Sequence, residues 1–182
     1  MTKEGLRMKF EDVLYSRRTT RQYLPKQIKE EDLQKLLDAA QTSPIGGGNY
    51  KKAHLTVVQD ADLLNRIRQA VGTPSKETGE KRDPLYGAPT LIFFSATDLS
   101  SSHVDYANAG CLIENILLQA TALNLGSTYI WGCLKSLREH PELIKELNLP
   151  QGYEILSAVA VGYPAAPLER RDKIERISVN RV

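Results

Sequence analysis

The sequence is poor in sulfur chemistry and in large aromatic surface. It holds two cysteines, Cys111 and Cys133, and one tryptophan, Trp131. The cysteines form no CxxC pair and no histidine stands close to them, so two free thiols in a reducing compartment are expected rather than a zinc site or a disulfide framework. The opening stretch MTKEGLRMKF lacks an apolar core, and a secretory signal is not expected. The most apolar stretch, 106–125, is interrupted by Asn108, Glu114, Asn115, Gln119 and Asn124, which excludes it as a membrane span. A cytoplasmic protein with no membrane partner is the expectation. A formal net charge of +2 is too small for a general nucleic-acid binder. The glycines 46–48 are not followed by Lys-Ser/Thr, so they are no phosphate-binding P-loop. His54, His103 and His140 are scattered, and no Ser-His-Asp set or carboxylate pair stands out. That pattern fits a protein whose chemistry is carried by a cofactor.

One absence is local. Between Val13 and Lys29 there is no Asp or Glu, yet Arg17, Arg18, Arg21, Lys26 and Lys29 all fall there. Within SRRTTRQY, an extended backbone points Arg17, Thr19 and Arg21 to one side. The Arg17 guanidinium and the Thr19 hydroxyl on one face suit a phosphate, gripped by charge-assisted and often bidentate hydrogen bonds, with Arg21 further along that face. The alternative is a solvated basic turn that pairs with Glu30 or Glu31.

Organisation along the chain is that of a single domain covering residues 1–182, with 164–182 as a C-terminal extension or arm. A short helix is expected over 9–16, with Phe10, Val13 and Leu14 inward. Glu30, Glu31 and Asp32 suit a helix start, and Leu33, Leu36, Leu37 and Ala40 then recur on one face. SPIGGGN, 43–49, is a breaker loop. HLTVVQ, 54–59, reads as a strand. Asp60 caps a helix that buries Leu63, Ile67, Ala70 and Val71. Residues 72–87 read as a long polar loop, a class that carries function or disorder. APTLIFFSA, 88–96, is a strand covered on both faces. A core helix is expected over 105–125, stopped by Gly126. STYIWG, 127–132, is a short strand entering a turn. Ser136 and Pro141 open short helices, closed by Asn148 and Pro150. ILSAVAVGY, 155–163, is a further buried strand. Strands separated by helices argue for helices covering a central sheet.

Several of these segments, taken in order, resemble the nitroreductase family of flavin mononucleotide (FMN) oxidoreductases. Arg17-Arg18-Thr19-Thr20-Arg21, with an aromatic at Tyr23, is similar to the family's Arg-Arg-x-Ser-x-Arg pattern. LQKLLDAAQTSPIGGGN resembles its first helix and following loop, and YGAPTLIFF its central strand. ANAGCLIENILLQATALNLGSTYIWG resembles its core helix and flavin-facing turn, and AVAVGYPA its late strand. The resemblance implies an α+β sandwich with a mostly antiparallel central sheet flanked by helices, formed as an intertwined homodimer with one FMN per subunit between the chains. It implies hydride transfer from NADH or NADPH through the flavin to a small-molecule acceptor such as a nitroaromatic or a quinone. Within the same fold it leaves open a narrower task, such as reductive dehalogenation, or a noncatalytic flavin- or nucleotide-binding role.

The resemblance also assigns positions. Arg17, Arg18 and Thr19 fall on the phosphate, and Arg21 on the flavin N1/O2 edge, where a fixed positive charge favours reduction. Arg170 and Arg171 match the basic residues that return to the phosphate from the C-terminal region; Arg171 is preferred, and a solvated pair beside Glu169 and Asp172 is the other reading. Pro44 and Ile45 match a loop supplied by the partner subunit. Asn49 matches the loop asparagine, or is a turn residue. Ile130, Trp131 and Gly132 match the turn whose backbone amides approach flavin N5 and O4, with the Trp131 side chain either at the site or in packing. The sequence departs from the family pattern in three places. Asn-x-Gln-Pro-Trp reads Asn49-Tyr50-Lys51-Lys52-Ala53, the serine after Pro44 is Ile45, and another serine is Thr19. No metal is implied.

Overall fold

The computed structural model describes residues 8–75, 79, 81–172 and 176–182. Among these the helices are α1 (Phe10–Ser16), α2 (Glu30–Gln41), α3 (Ala61–Val71), α4 (Val104–Ala122), α5 (Leu134–Arg138) and α6 (Pro141–Glu146). The strands are β1 (Ala53–Val58), β2 (Thr73–Pro74), β3 (Lys81–Arg82), β4 (Thr90–Ala96), β5 (Gly126–Ile130) and β6 (Glu154–Gly162).

Four strands make the central sheet in the order β1-β4-β6-β5, and every neighbouring pair is antiparallel. β4 is buried at every residue, because helices lie on both sheet faces. Alternation sorts its side chains: Ile92, Phe94 and Ala96 join the core beneath α2 and α4, while Leu91 and Phe93 join the core shared with α3, α5 and α6. β6 behaves likewise until a register shift opposite Phe94/Ser95. Beyond it the parity flips, so Ile155 faces the same core as Ala158 and Ala160, as one extra residue in a strand requires. This is the expected α+β sandwich.

α4 is the central helix. Leu112, Ile113, Ile116, Leu117 and Ala120 are buried against the sheet and α2. Its polar residues have partners: the Asn108 side chain accepts from Gly46 N at 2.9 Å, and the Asn115 amide donates to Ala39 O at 3.2 Å.

Four expectations need correction. Gly126 does not stop α4. The helix ends at Ala122, Asn124 takes the left-handed conformation at φ 57°, and Gly126 begins β5. A Cβ on Gly126 would stand 2.6 Å from Thr20 Cγ2, so the glycine permits close approach of the 17–21 segment instead. In α3 it is Leu64 that is buried, with Ile67 and Val71, while Leu63 and Ala70 are half-buried; the inward face is rotated because Leu64 lies i−3 and i−7 from those two. The polar stretch 72–87 contains the β2–β3 pair, although 76–78 and 80 lie outside the described residues. In α1, Phe10 is 69% exposed and Leu14 44%, while Val13 and Ser16 are buried.

Candidate cofactor site

The basic segment leaves α1 and crosses the outer edge of the sheet. Thr20 N donates to Ser127 O at 3.0 Å and Leu24 N to Tyr163 O at 2.9 Å. Tyr23 pins the crossing: its hydroxyl lies 2.9 Å from Thr128 Oγ1 and donates to Ala160 O at 3.4 Å. Burial pushes that phenol far above its ordinary range, against the smaller pull of the Thr128 hydrogen bond. Thr20 is buried, and Thr19 and Arg21 are exposed.

Arg171 reaches back to where this segment begins. Arg171 N bonds Tyr15 O at 3.1 Å, the Arg171 Nε donates to the same carbonyl at 3.2 Å, and its guanidinium also reaches Arg17 O. The C-terminal segment therefore closes the last turn of α1 and brings its own cation to Arg17. Desolvation lowers the Arg171 pKa, and Arg17, Arg176 and Arg18 lower it further. Arg18 Nε is buried without a hydrogen-bond partner. Arg17 Nε stands 3.8 Å from a Glu114 carboxylate oxygen, the acid that faces the cluster from α4. Burial raises the Glu114 pKa, and Arg17 opposes the rise.

Arg170 is turned away. Its Nε donates to Asp12 at 2.9 Å, it reaches Glu11 at 3.9 Å, and its guanidinium lies over Tyr15 at 4.5 Å. Arg21 is also apart from the cluster, over the Tyr86 ring at 5.8 Å.

α4 links this cationic end to the predicted flavin-facing turn. Tyr106, Gly110 and Glu114 repeat at i, i+4 and i+8 and share one helix side. Eight residues of helix span about 12 Å. At the far end the Tyr106 and Trp131 rings meet edge-on, 5.5 Å apart at 68°. β5 runs back along α4, which is why the turn after it reaches Tyr106. Ile130 is buried, and Trp131 and Gly132 are exposed. A Cβ on Gly110 or on Gly132 would meet nothing within 4 Å, so both border open space.

The loop 44–49 is not brought to that side. Gly46 packs on Val104 and Asn108, and Asn108 sits roughly 200° round the helix from Tyr106. Pro44 and Asn49 are exposed and Ile45 is half-buried. Gly47 and Gly48 have φ of 72° and 68°, values that glycine adopts readily.

FMN fits these residues. An unpaired buried guanidinium nitrogen on Arg18 and an Arg171 guanidinium that reaches Arg17 O call for an anion. On the side of α4 shared by Glu114 and Tyr106, a Cβ at Gly110 would meet nothing within 4 Å, so this helix face is uncovered midway between the arginines and Trp131. Sequence reasoning missed Tyr106, Gly110, Glu114 and Tyr86. For the first three the available signal was the i, i+4, i+8 spacing in a helix otherwise apolar all round.

The Nitroreductase family matches residues 14–163. An Archaeoglobus fulgidus relative with the provisional name NADH dehydrogenase/NAD(P)H nitroreductase is 29% identical over 173 residues, covering 93% of this chain and 94% of its own. The crystal structure of a nitroreductase with bound FMN from Bacteroides fragilis superposes with a TM-score of 0.79 at 27% identity, over 96% of this chain and 99% of that one. An FMN-dependent nitroreductase from Clostridium difficile gives 0.78 at 26%, over 96% and 99%. The chain belongs to the nitroreductase family.

Proposed function

We propose that this chain is an FMN-dependent oxidoreductase using NADH or NADPH to reduce a small-molecule acceptor, a nitroaromatic or a quinone. The observation that carries the reading is the Arg171 guanidinium seated on Arg17 O, next in sequence to Arg18, whose buried Nε has no partner, in a chain of this family. When bound, FMN supplies the two-electron chemistry: a hydride leaves NADH or NADPH as the oxidised nicotinamide departs, and the acceptor gains that hydride and a proton.

The protein's part is grip and position. Arg17, Arg18 and Arg171 hold the phosphate, with the Thr19 hydroxyl beside them. Arg21 supplies positive charge toward the pyrimidine edge. Ile130, Trp131 and Gly132 offer backbone donors at the reacting edge of the ring, and Gly132 permits the close approach. Arg170 serves α1 through Asp12 and Glu11.

The chain works as a homodimer in this reading. Phe10 and Leu14 are exposed, and a hollow of about 680 Å³ lies along α2 and α4, lined by Met8, Ala39, Ala122 and Leu123 among others. A second chain seated there would cover these residues and bring its Pro44, Ile45 and Asn49 loop to the open side of the site. Residues 1–182 then form one FMN-binding domain, with 164–182 as the arm that delivers Arg171. Among the described residues no helix is long and apolar enough to cross a membrane, and the cytoplasm is the proposed location.

Colour tests the reading. Purified protein is expected to be yellow, to sediment as a dimer and to bleach under anaerobic NADH or NADPH. Protein that stays colourless after incubation with excess FMN would defeat it, and yellow protein that never bleaches would leave a flavin binder without this activity.

A further inference from the structure

We propose that Trp131, held edge-on by Tyr106, is the surface that selects planar aromatic and quinone acceptors. The inference rests on the oxidoreductase reading and goes beyond it, since it concerns the indole side chain and not the backbone of the turn.

Trp131 is 50% exposed, although it is the largest side chain at the site. It stands between buried Ile130 and exposed Gly132. Its backbone is fixed on both sides. Ile130 pairs with Ala158 in the sheet, and Trp131 O accepts from Leu134 N at 3.1 Å as α5 begins. The ring is fixed by Tyr106 at 5.5 Å and 68°. Tyr106 N in turn donates to His103 O at 3.1 Å, and the His103 ring lies 6.2 Å from the Tyr106 ring.

A single exposed aromatic residue needs no explanation by itself. This one is a rigid indole supported by a second ring, beside the open space at Gly132 and on the Gly110 side of α4. An edge-on neighbour restrains the indole without covering all of it. The electron-rich indole stacks favourably on electron-poor planar rings, and its orientation is set before binding, so little conformational freedom is lost on contact. A nonaromatic oxidant gains nothing from the same surface.

The test uses the FMN-loaded protein. Trp131 is the one tryptophan, so tryptophan fluorescence reports on this position alone. In the unaltered protein the indole is expected to be open to acrylamide quenching, and 4-nitrobenzoate is expected to shield it saturably. In steady-state assays, Trp131→Leu is expected to raise the KM for 2-methyl-1,4-naphthoquinone roughly three- to tenfold, the range of one aromatic contact. The KM for ferricyanide should move less than twofold, and Trp131→Phe should recover most of the quinone loss. Tyr106→Leu should give a smaller shift of the same kind.

Equal shifts for both acceptors overturn the proposal, as does an indole that acrylamide cannot reach, which would place it in packing or under a partner chain. Should the leucine variant lose its flavin, the nitrobenzoate titration of the unaltered protein decides: no saturable protection overturns it. That titration needs no turnover. Failure to bleach under NADH or NADPH therefore counts against the oxidoreductase reading alone, and failure of protection against the aromatic surface alone.

Discussion

Glu114 and Tyr106 share one side of α4, yet their surroundings have little in common. At Glu114 the chain brings in a cation from distant sequence, Arg17 from the end of α1, and Arg171 of the C-terminal segment joins it there through Arg17 O. Around Tyr106 it gathers rings, Trp131 and His103, that lie on α4 or one strand away from it. The cationic end depends on long-range contacts and on charges that repel one another. The aromatic end is local in sequence and free of such repulsion. The first should be the weaker part of the empty protein and gain most from a ligand; the second should be formed in advance.

The largest expected effect breaks the cationic end alone. Arg17→Ala or Arg171→Ala should weaken FMN binding roughly ten- to hundredfold, since one hydrogen bond to a charged group contributes about 1.5 to 3 kcal/mol. Arg170→Ala should change it less than twofold, because that side chain is taken up by Asp12 and Glu11. Flavin-fluorescence titration measures all three. Equal losses at Arg170 and Arg171 would remove the distinction between them.

Next in size is Gly126→Ala. The added methyl would meet Thr20 at under 3 Å on three atoms, and overpacking of this kind costs about 1 to 3 kcal/mol. Denaturant unfolding should show the loss. FMN affinity should fall with it, because Thr20 sits within the arginine segment, while the acrylamide accessibility of Trp131 should stay as in the unaltered protein. Parallel changes at both ends would mean that they are not separate units.

That separation also explains what was readable in the sequence. β4 and β6 announce themselves as continuous apolar runs because helices cover both faces of the sheet. α2 was legible because Leu33, Leu36 and Ala40 keep helical spacing. Gly126 misled, because a glycine after a helix reads as its stop, whereas here the reason for it is Thr20, more than a hundred residues away in sequence. The β6 parity flip follows from a register shift that no period could reveal. The sequence reading prefers Arg171 to Arg170, and the bonds from Arg171 to Tyr15 O and Arg17 O are what bring it to Arg17. Tyr106 was hidden because its role arises once β5 brings Trp131 back along α4, and Glu114 because its role arises once Arg17 reaches α4.

A smaller effect sharpens the comparison. Glu114 is half exposed and 3.8 Å from Arg17, so the pair itself contributes little, about 0 to 1 kcal/mol. Its carboxylate also faces the place where a phosphate would sit. Glu114→Gln should therefore tighten FMN binding by about two- to threefold. The variant should also alter the pH dependence of stability. Burial raises the Glu114 pKa in the folded chain, so its contribution is fully present below the unfolded glutamate value and is lost as pH rises through the folded one. The glutamine variant should lack that slope in unfolding measured across mildly acidic pH.

The smallest effect concerns Cys133, next to Gly132 at the aromatic end. Burial pushes its thiol up to about 11, against a backbone hydrogen bond, with the Asp83 carboxylate adding to the rise. The thiolate is the reactive form, so near neutral pH this cysteine should be almost inert and add no charge beside Trp131. In a Cys111→Ser background, iodoacetamide labelling of Cys133 should climb about tenfold per pH unit up to pH 9 with no plateau, as expected when the reactive fraction is set by a pKa well above the assay pH. A plateau below pH 9 would place a thiolate beside Trp131 at working pH. The contrast between an end of crowded cations and an end built of rings would then weaken, and the turn would carry a nucleophile.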